Sequence, residues 1–106
     1  PYRTDDYVAA ERQLEDVVTR FPKSADAWFY LGATRLLDGD PAGAREALTQ
    51  ARALGVGDRD DEAAWLLATA DARVGALDEA RPKLQSLCDG SGAFKTAACS
   101  ALASLR

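Results

Sequence analysis

The chain has 106 residues, a formal net charge of -4, two cysteines and no histidine. It is long enough for one hydrophobic core, and the missing histidine excludes Ser-His-Asp and Cys-His catalysis and histidine metal ligands. The acidic balance disfavours nucleic acid as a partner, and no apolar run approaches the roughly 20 residues that a membrane-spanning helix needs. Alanine, leucine, arginine, glutamate and lysine make up half of the chain and isoleucine is absent, which predicts an all-α protein.

Glycine, proline and aspartate divide the sequence into six helical segments. A residue before proline avoids the α conformation, so Phe21-Pro22 ends the first segment, and Ser24 is a good N-cap for the second. Asp40 and Pro41 supply a cap and a first helical position for the third. The predicted helices extend over about residues 5–20, 25–37, 41–54, 60–74, 77–88 and 93–105.

An acidic cluster, Asp58-Arg59-Asp60-Asp61-Glu62, precedes and begins the fourth segment. Closely spaced acids can hold calcium, but this stretch lacks the glycine and the spacing of a calcium-binding loop. We interpret the acids as the first turn of a helix, where they satisfy open amides and interact favourably with the helix dipole. We therefore expect no metal here.

The helical segments repeat along the chain. Residues 28–32 align with residues 64–68 at a shift of 36, which also places Ala44 on Ala80. A shift of 34 aligns the first segment with the third, and residues 61–65 with residues 95–99. Because the glycine punctuation repeats as well, we interpret the segments as copies of one helical hairpin.

These residues resemble the tetratricopeptide repeat, a unit of 34 residues that folds as two antiparallel helices. The resemblance is strongest in the unit at 25–58, where the family's aromatic, Leu-Gly and small-residue positions are all occupied. The positions expected to pack the repeats together are Trp28, Leu31, Gly32, Ala44, Leu48 and Ala51, with Ala68 and Ala80 in the second unit. The resemblance implies a right-handed superhelical stack of antiparallel hairpins.

This stack would make a single domain over residues 1–106. It comprises a partial unit at 5–22, repeats at 25–58 and 61–92, and a terminal helix at 93–106. The second repeat departs from the pattern because its aromatic, Trp65, is displaced by one place, so its register is left open by one residue. Pro82 predicts a kink or a shortened first turn in the fifth helix, since proline removes a backbone hydrogen bond.

The resemblance also implies a binding surface, because the first helix of each unit lines the concave side of such arrays. The groove positions are Asp26, Phe29, Tyr30, Ala33, Leu37, Glu62, Trp65, Thr69 and Arg73, with Thr96, Cys99 and Ala103 extending them. Phe29 and Trp65 either contact a ligand or pack between units. The chain has no asparagine, which disfavours the clamp that holds a partner's terminal carboxylate in some members.

We expect a non-enzymatic interaction module that binds a segment of a partner protein in this groove, without a cofactor or metal. The alternative is a structural spacer or self-association element of a larger bacterial protein, with homo-oligomer formation left open. Arginine outnumbers lysine 10 to 3, a bias typical of GC-rich bacterial genomes, and the repeats resemble those of envelope proteins. An extracytoplasmic site is therefore favoured over the cytoplasm, and the proline start with no methionine indicates a piece of a longer chain.

Cys88 and Cys99 could form a disulfide, remain two free thiols or act as a redox pair. With Cys88 at the end of one helix and Cys99 about six residues into the next, their offset is roughly 9 Å along the axis. Since bridged Cα atoms lie within about 7 Å, this offset disfavours a bridge without deciding the matter. A disulfide would place the domain outside the reducing cytosol.

Overall fold

The computed structural model describes the backbone of residues 2–105 and the side chains of residues 6–105. The ends of the predicted domain, Pro1 and Arg106, lie outside the described residues. Six α-helices follow one another: α1 (Tyr2–Arg20), α2 (Ala25–Leu37), α3 (Pro41–Leu54), α4 (Asp60–Arg73), α5 (Leu77–Asp89) and α6 (Lys95–Ser104). A turn of 3₁₀ helix at Gly57–Arg59 precedes α4. The described backbone contains no strand, and the all-α prediction is confirmed.

The predicted caps of α2 and α3 are present. The Ser24 hydroxyl accepts a hydrogen bond from the Ala27 N–H at 3.3 Å, and the Asp40 carboxylate accepts one from the Gly43 N–H at 3.0 Å. Pro41 is the first residue of α3, where its missing N–H costs no helical hydrogen bond. The acids at the start of α4 occupy its first turn, as predicted, although no side chain caps that helix.

Pro82 does not shorten α5, so the predicted shortening of the first turn is wrong. The helix extends from Leu77 to Asp89 with Pro82 inside it. The carbonyl that would normally accept a hydrogen bond from position 82 belongs to Asp78, and both residues are exposed. Water can therefore satisfy this carbonyl, and the proline ring lies on the solvent side of the helix.

Consecutive helices pack against each other along the whole array, and α2 also contacts α4. This pattern places α2 and α4 side by side in one layer, while α1, α3 and α5 alternate with them. Small residues permit the close approach of the helices: a Cβ added to Gly32 would lie 2.8 Å from Leu48 Cδ2. Ala44 and Ala80, at the equivalent place of successive repeats, are completely buried.

A polar contact occurs at the same aligned position in each of the three junctions between successive repeats. Arg35 of α2 lies 3.3 Å from Glu11 of α1, and Asp71 of α4 lies 2.7 Å from Arg45 of α3. At the third contact, between α5 and α6, Arg81 donates to the carbonyl of Leu105 at 3.1 Å. The three pairs are related by the same shifts of 34 and 36 residues that align the repeats, and the polarity of the ion pair reverses between the first and the second.

The second of these pairs involves a fully buried charge. Asp71 is 1% exposed, and its other carboxylate oxygen accepts a hydrogen bond from Lys83 Nζ of α5 at 2.7 Å. One carboxylate therefore connects α3, α4 and α5 through Arg45 and Lys83. Asp71 is not among the residues predicted from the sequence to pack the repeats together.

The packing of α3 against its neighbours predicts the effect of enlarging Ala44. The substitution Ala44→Leu should lower the free energy of unfolding by about 1 to 3 kcal/mol, because the added atoms have no free space in a well-packed core. Urea denaturation followed by circular dichroism measures the change. Ala42→Leu is the matched control, since Ala42 lies on the exposed side of the same helix. Equal stabilities for the two variants would contradict the packing described here.

Candidate functional site

The face formed by α2 and α4 carries the predicted groove residues, but they do not all reach solvent. Phe29 is 3% exposed and packs in the core among residues of α3 and α4. Of the two roles expected for it, ligand contact and packing between units, it therefore has the packing role. Tyr30 and Leu37 are 44% and 66% exposed and provide the apolar surface of α2. Ala33, between them, is half-buried.

One end of the face carries a cluster of aromatic and charged side chains. It includes Arg59, which was not predicted as a groove residue. The Arg59 guanidinium lies 5.0 Å from the ring centroid of Tyr30 and 3.9 Å from the carboxylate of Asp26. The Tyr30 hydroxyl, together with the charges of Asp26 and Glu62, raises the pKa of Arg59 above its ordinary value. Asp26 and Glu62 are themselves exposed, so this end is acidic apart from the cation on Tyr30.

The α4 part of the face is anchored by aromatic stacking. Trp65 is half-buried and stacks on Phe94, which immediately precedes α6, with ring centroids 5.9 Å apart. The Thr69 hydroxyl donates to the carbonyl of Trp65 at 2.9 Å. Arg73, in the last turn of α4, is exposed and donates to the carbonyl of Leu36 at 3.4 Å.

An open pocket of about 380 Å³ lies between α4, α5 and α6, and we call it the α4–α6 pocket. Its lining combines predicted groove residues of α4 with residues of α5 and α6 that were not predicted. The lining residues are Trp65, Ala68, Thr69, Ala72, Arg73, Leu84, Ala101, Ser104 and Leu105.

The α6 residues that line this pocket differ from those predicted to extend the groove. Ala101, Ser104 and Leu105 face the pocket, whereas the predicted Thr96 and Ala103 are absent from its lining and are exposed. An alignment of the residues that pack between α2 and α4 with those between α4 and α6 would have identified these positions.

Cys88 and Cys99 are joined by a disulfide, so the expectation against a bridge is wrong. Their Cα atoms are 4.7 Å apart, within the range that a bridge requires. The helix α6 begins at Lys95, later than predicted, and Lys95 Nζ donates to the carbonyl of Cys88 at 2.6 Å. The start of α6 therefore lies beside the end of α5, which removes the axial offset assumed from the sequence.

The disulfide predicts that the oxidised protein has no free thiol. Alkylation in denaturant should leave the intact mass unchanged without a reductant, and a reduced sample, the control, should gain two labels. Replacing both cysteines with serine should lower the unfolding free energy by about 3 kcal/mol, the loop-entropy estimate for this short separation. Two labels on the protein purified without reductant would contradict the bridge.

The geometry also limits the chemistry of the site. Among the residues that the structure describes, no group of three or more cysteine, aspartate or glutamate side chains is placed to hold a metal ion. No helix in the described part of the chain is long and apolar enough to cross a membrane. The face presents a shaped surface of aromatic and aliphatic side chains, with charged side chains at its ends.

The stacked helical hairpins correspond to a known repeat family. Its sequence profile matches residues 2–53 and again residues 38–98, so the two matches together cover most of the chain. The chain belongs to the tetratricopeptide repeat (TPR) family. TPR arrays generally act as protein–protein interaction modules and are typically non-enzymatic. A comparison with curated proteins found no match.

Proposed function

We propose that this TPR domain binds a segment of a partner protein on the face formed by α2, α4 and α6. The observation that carries the proposal is the apolar surface on this face, where Tyr30 and Leu37 are exposed although both are large and apolar. Aromatic and aliphatic side chains on a concave surface are the usual anchors of peptide recognition. The half-buried Trp65 continues this surface onto α4.

The rigidity of the face supports this function. Trp65 is held by stacking on Phe94, and α6 is joined to α5 by the disulfide. A surface that is ordered before binding loses little conformational entropy when it binds, which favours affinity. Because disulfides persist in oxidising compartments, the Cys88–Cys99 bridge also supports an extracytoplasmic site of action.

Selection from a displayed library of random peptides tests the proposal. A selected peptide should bind the domain in a titration, and Tyr30→Ala combined with Leu37→Ala should weaken binding at least tenfold, because the apolar anchors of α2 are lost. Circular dichroism should show unchanged helicity in this variant, since both side chains are exposed.

Leu54→Ala provides the matched control, because Leu54 is also an exposed leucine but lies on α3. It should bind the selected peptide as the parent does. Equal weakening by the α2 variant and the control would contradict recognition on this face. A library that yields no binder, together with a dimer that the α2 substitutions abolish, would favour self-association instead.

A further inference from the structure

The α4–α6 pocket exists because two leucines of the preceding repeat are replaced by alanine. Between α2 and α4, Leu36 and Leu67 are 7% and 5% exposed and fill the core. The repeat shifts of 36 and 34 residues place Ala72 at the position of Leu36, and Ala101 at the position of Leu67. Both alanines line the pocket. The space filled by the protein's own side chains in one repeat is therefore left open in the next.

Apart from Arg73, the remaining side chains that line the pocket are aromatic, aliphatic or already hydrogen bonded. The Thr69 hydroxyl donates to the carbonyl of Trp65, and the Ser104 hydroxyl lies 3.0 Å from the carbonyl of Ser100. The volume of about 380 Å³ corresponds to roughly a dozen water molecules. Few polar groups on these walls are free to bind that water, so an apolar side chain that displaces it is favoured.

Among the described residues that line the pocket, Arg73 is the one that carries a charge. Its recorded hydrogen bond, to the carbonyl of Leu36, is long at 3.4 Å. Within residues 6–105 no carboxylate oxygen lies within 4 Å of its guanidinium nitrogens, and Asp71, two residues earlier in α4, pairs with Arg45 and Lys83. The rim of an apolar pocket therefore presents a cation that can pair with a carboxylate.

We propose that the α4–α6 pocket receives a bulky apolar side chain of a partner segment, and that an acidic side chain next to it in that segment pairs with Arg73. The inference rests on the proposed function and specifies the chemistry of the partner. It also assigns the main anchor to α4 and α6, whereas the residues tested above lie on α2.

Three short peptides, acetylated and amidated so that they carry no terminal charge, serve as probes. The first contains phenylalanine beside glutamate, the second replaces the glutamate with glutamine, and the third replaces the phenylalanine with alanine. In a fluorescence titration the first should bind at least fivefold more tightly than the second, because the ion pair is lost. The third should show no measurable binding. Failure of the first peptide to bind at millimolar concentration overturns the proposal.

Two variants locate the binding site. Ala101→Leu restores the leucine of the preceding repeat and should fill the pocket, so the unfolding temperature stays equal or rises while binding of the first peptide falls at least tenfold. If this variant does not fold, Ala72→Leu makes the same test from α4. Arg73→Gln should remove the preference for glutamate over glutamine and leave the helicity unchanged.

The outcomes separate this proposal from the general one. A filled pocket that still binds the first peptide as tightly as the parent overturns the pocket as the anchor. Equal affinities for the glutamate and glutamine peptides in the parent overturn the role of Arg73. Either result leaves recognition on α2 intact if library peptides still lose affinity when Tyr30 and Leu37 are replaced.

Discussion

The buried carboxylate of Asp71 is the contact on which the arrangement of the repeats depends most. Removing a charge from water costs several kcal/mol, and the cost is recovered only while good partners remain in place. Arg45 and Lys83 supply those partners from the two helices on either side of α4. Displacement of α3 or α5 along α4 would leave a charge unpaired in the core, so the triad selects one register for the three helices.

The ion pair between α1 and α2, Glu11–Arg35, has its charges reversed relative to Arg45–Asp71. This reversal makes the register of the helices more specific. In the first repeat the half-buried cation Arg35 meets Glu11 and Glu15 of α1. If α4 took the place of α2 against α1, Asp71 would face those two glutamates, and like charges oppose that pairing. Apolar packing contributes to this distinction as well, because α2 carries Trp28 and Leu36 where α4 carries Ala64 and Ala72. The charges therefore add to the specificity with which the helices pack in order.

The face proposed for binding follows from this ordered stack. The helices α2, α4 and α6 are the first helices of successive units. The size of the side chains at two equivalent positions decides whether the space between two such helices is filled. Leucine at 36 and 67 fills one space, and alanine at 72 and 101 leaves the next as a pocket of about 380 Å³. A surface of this kind needs no catalytic group, which agrees with the general role of TPR domains.

Much of the fold could be predicted from the sequence because its signals are local. Caps such as Ser24 and Asp40, and the spacing of small residues, depend on short-range geometry. The bridge between Cys88 and Cys99 was not predicted, because it depends on how a five-residue loop places α6 beside α5. Asp71 was missed since an acid in a helix usually faces solvent, although its alignment with Arg35 could have indicated a polar contact between repeats.

The unfolding free energy of Asp71→Asn shows whether the buried triad of Arg45, Asp71 and Lys83 holds the repeats in register. We expect it to fall by about 3 kcal/mol, at the low end for a broken buried pair because Arg45 and Lys83 are partly exposed. Asp78→Asn, the control, removes an exposed ion pair of α5 and should leave the urea midpoint unchanged. If Asp71→Asn unfolds at the same urea concentration as the parent, the triad does not hold the repeats in register.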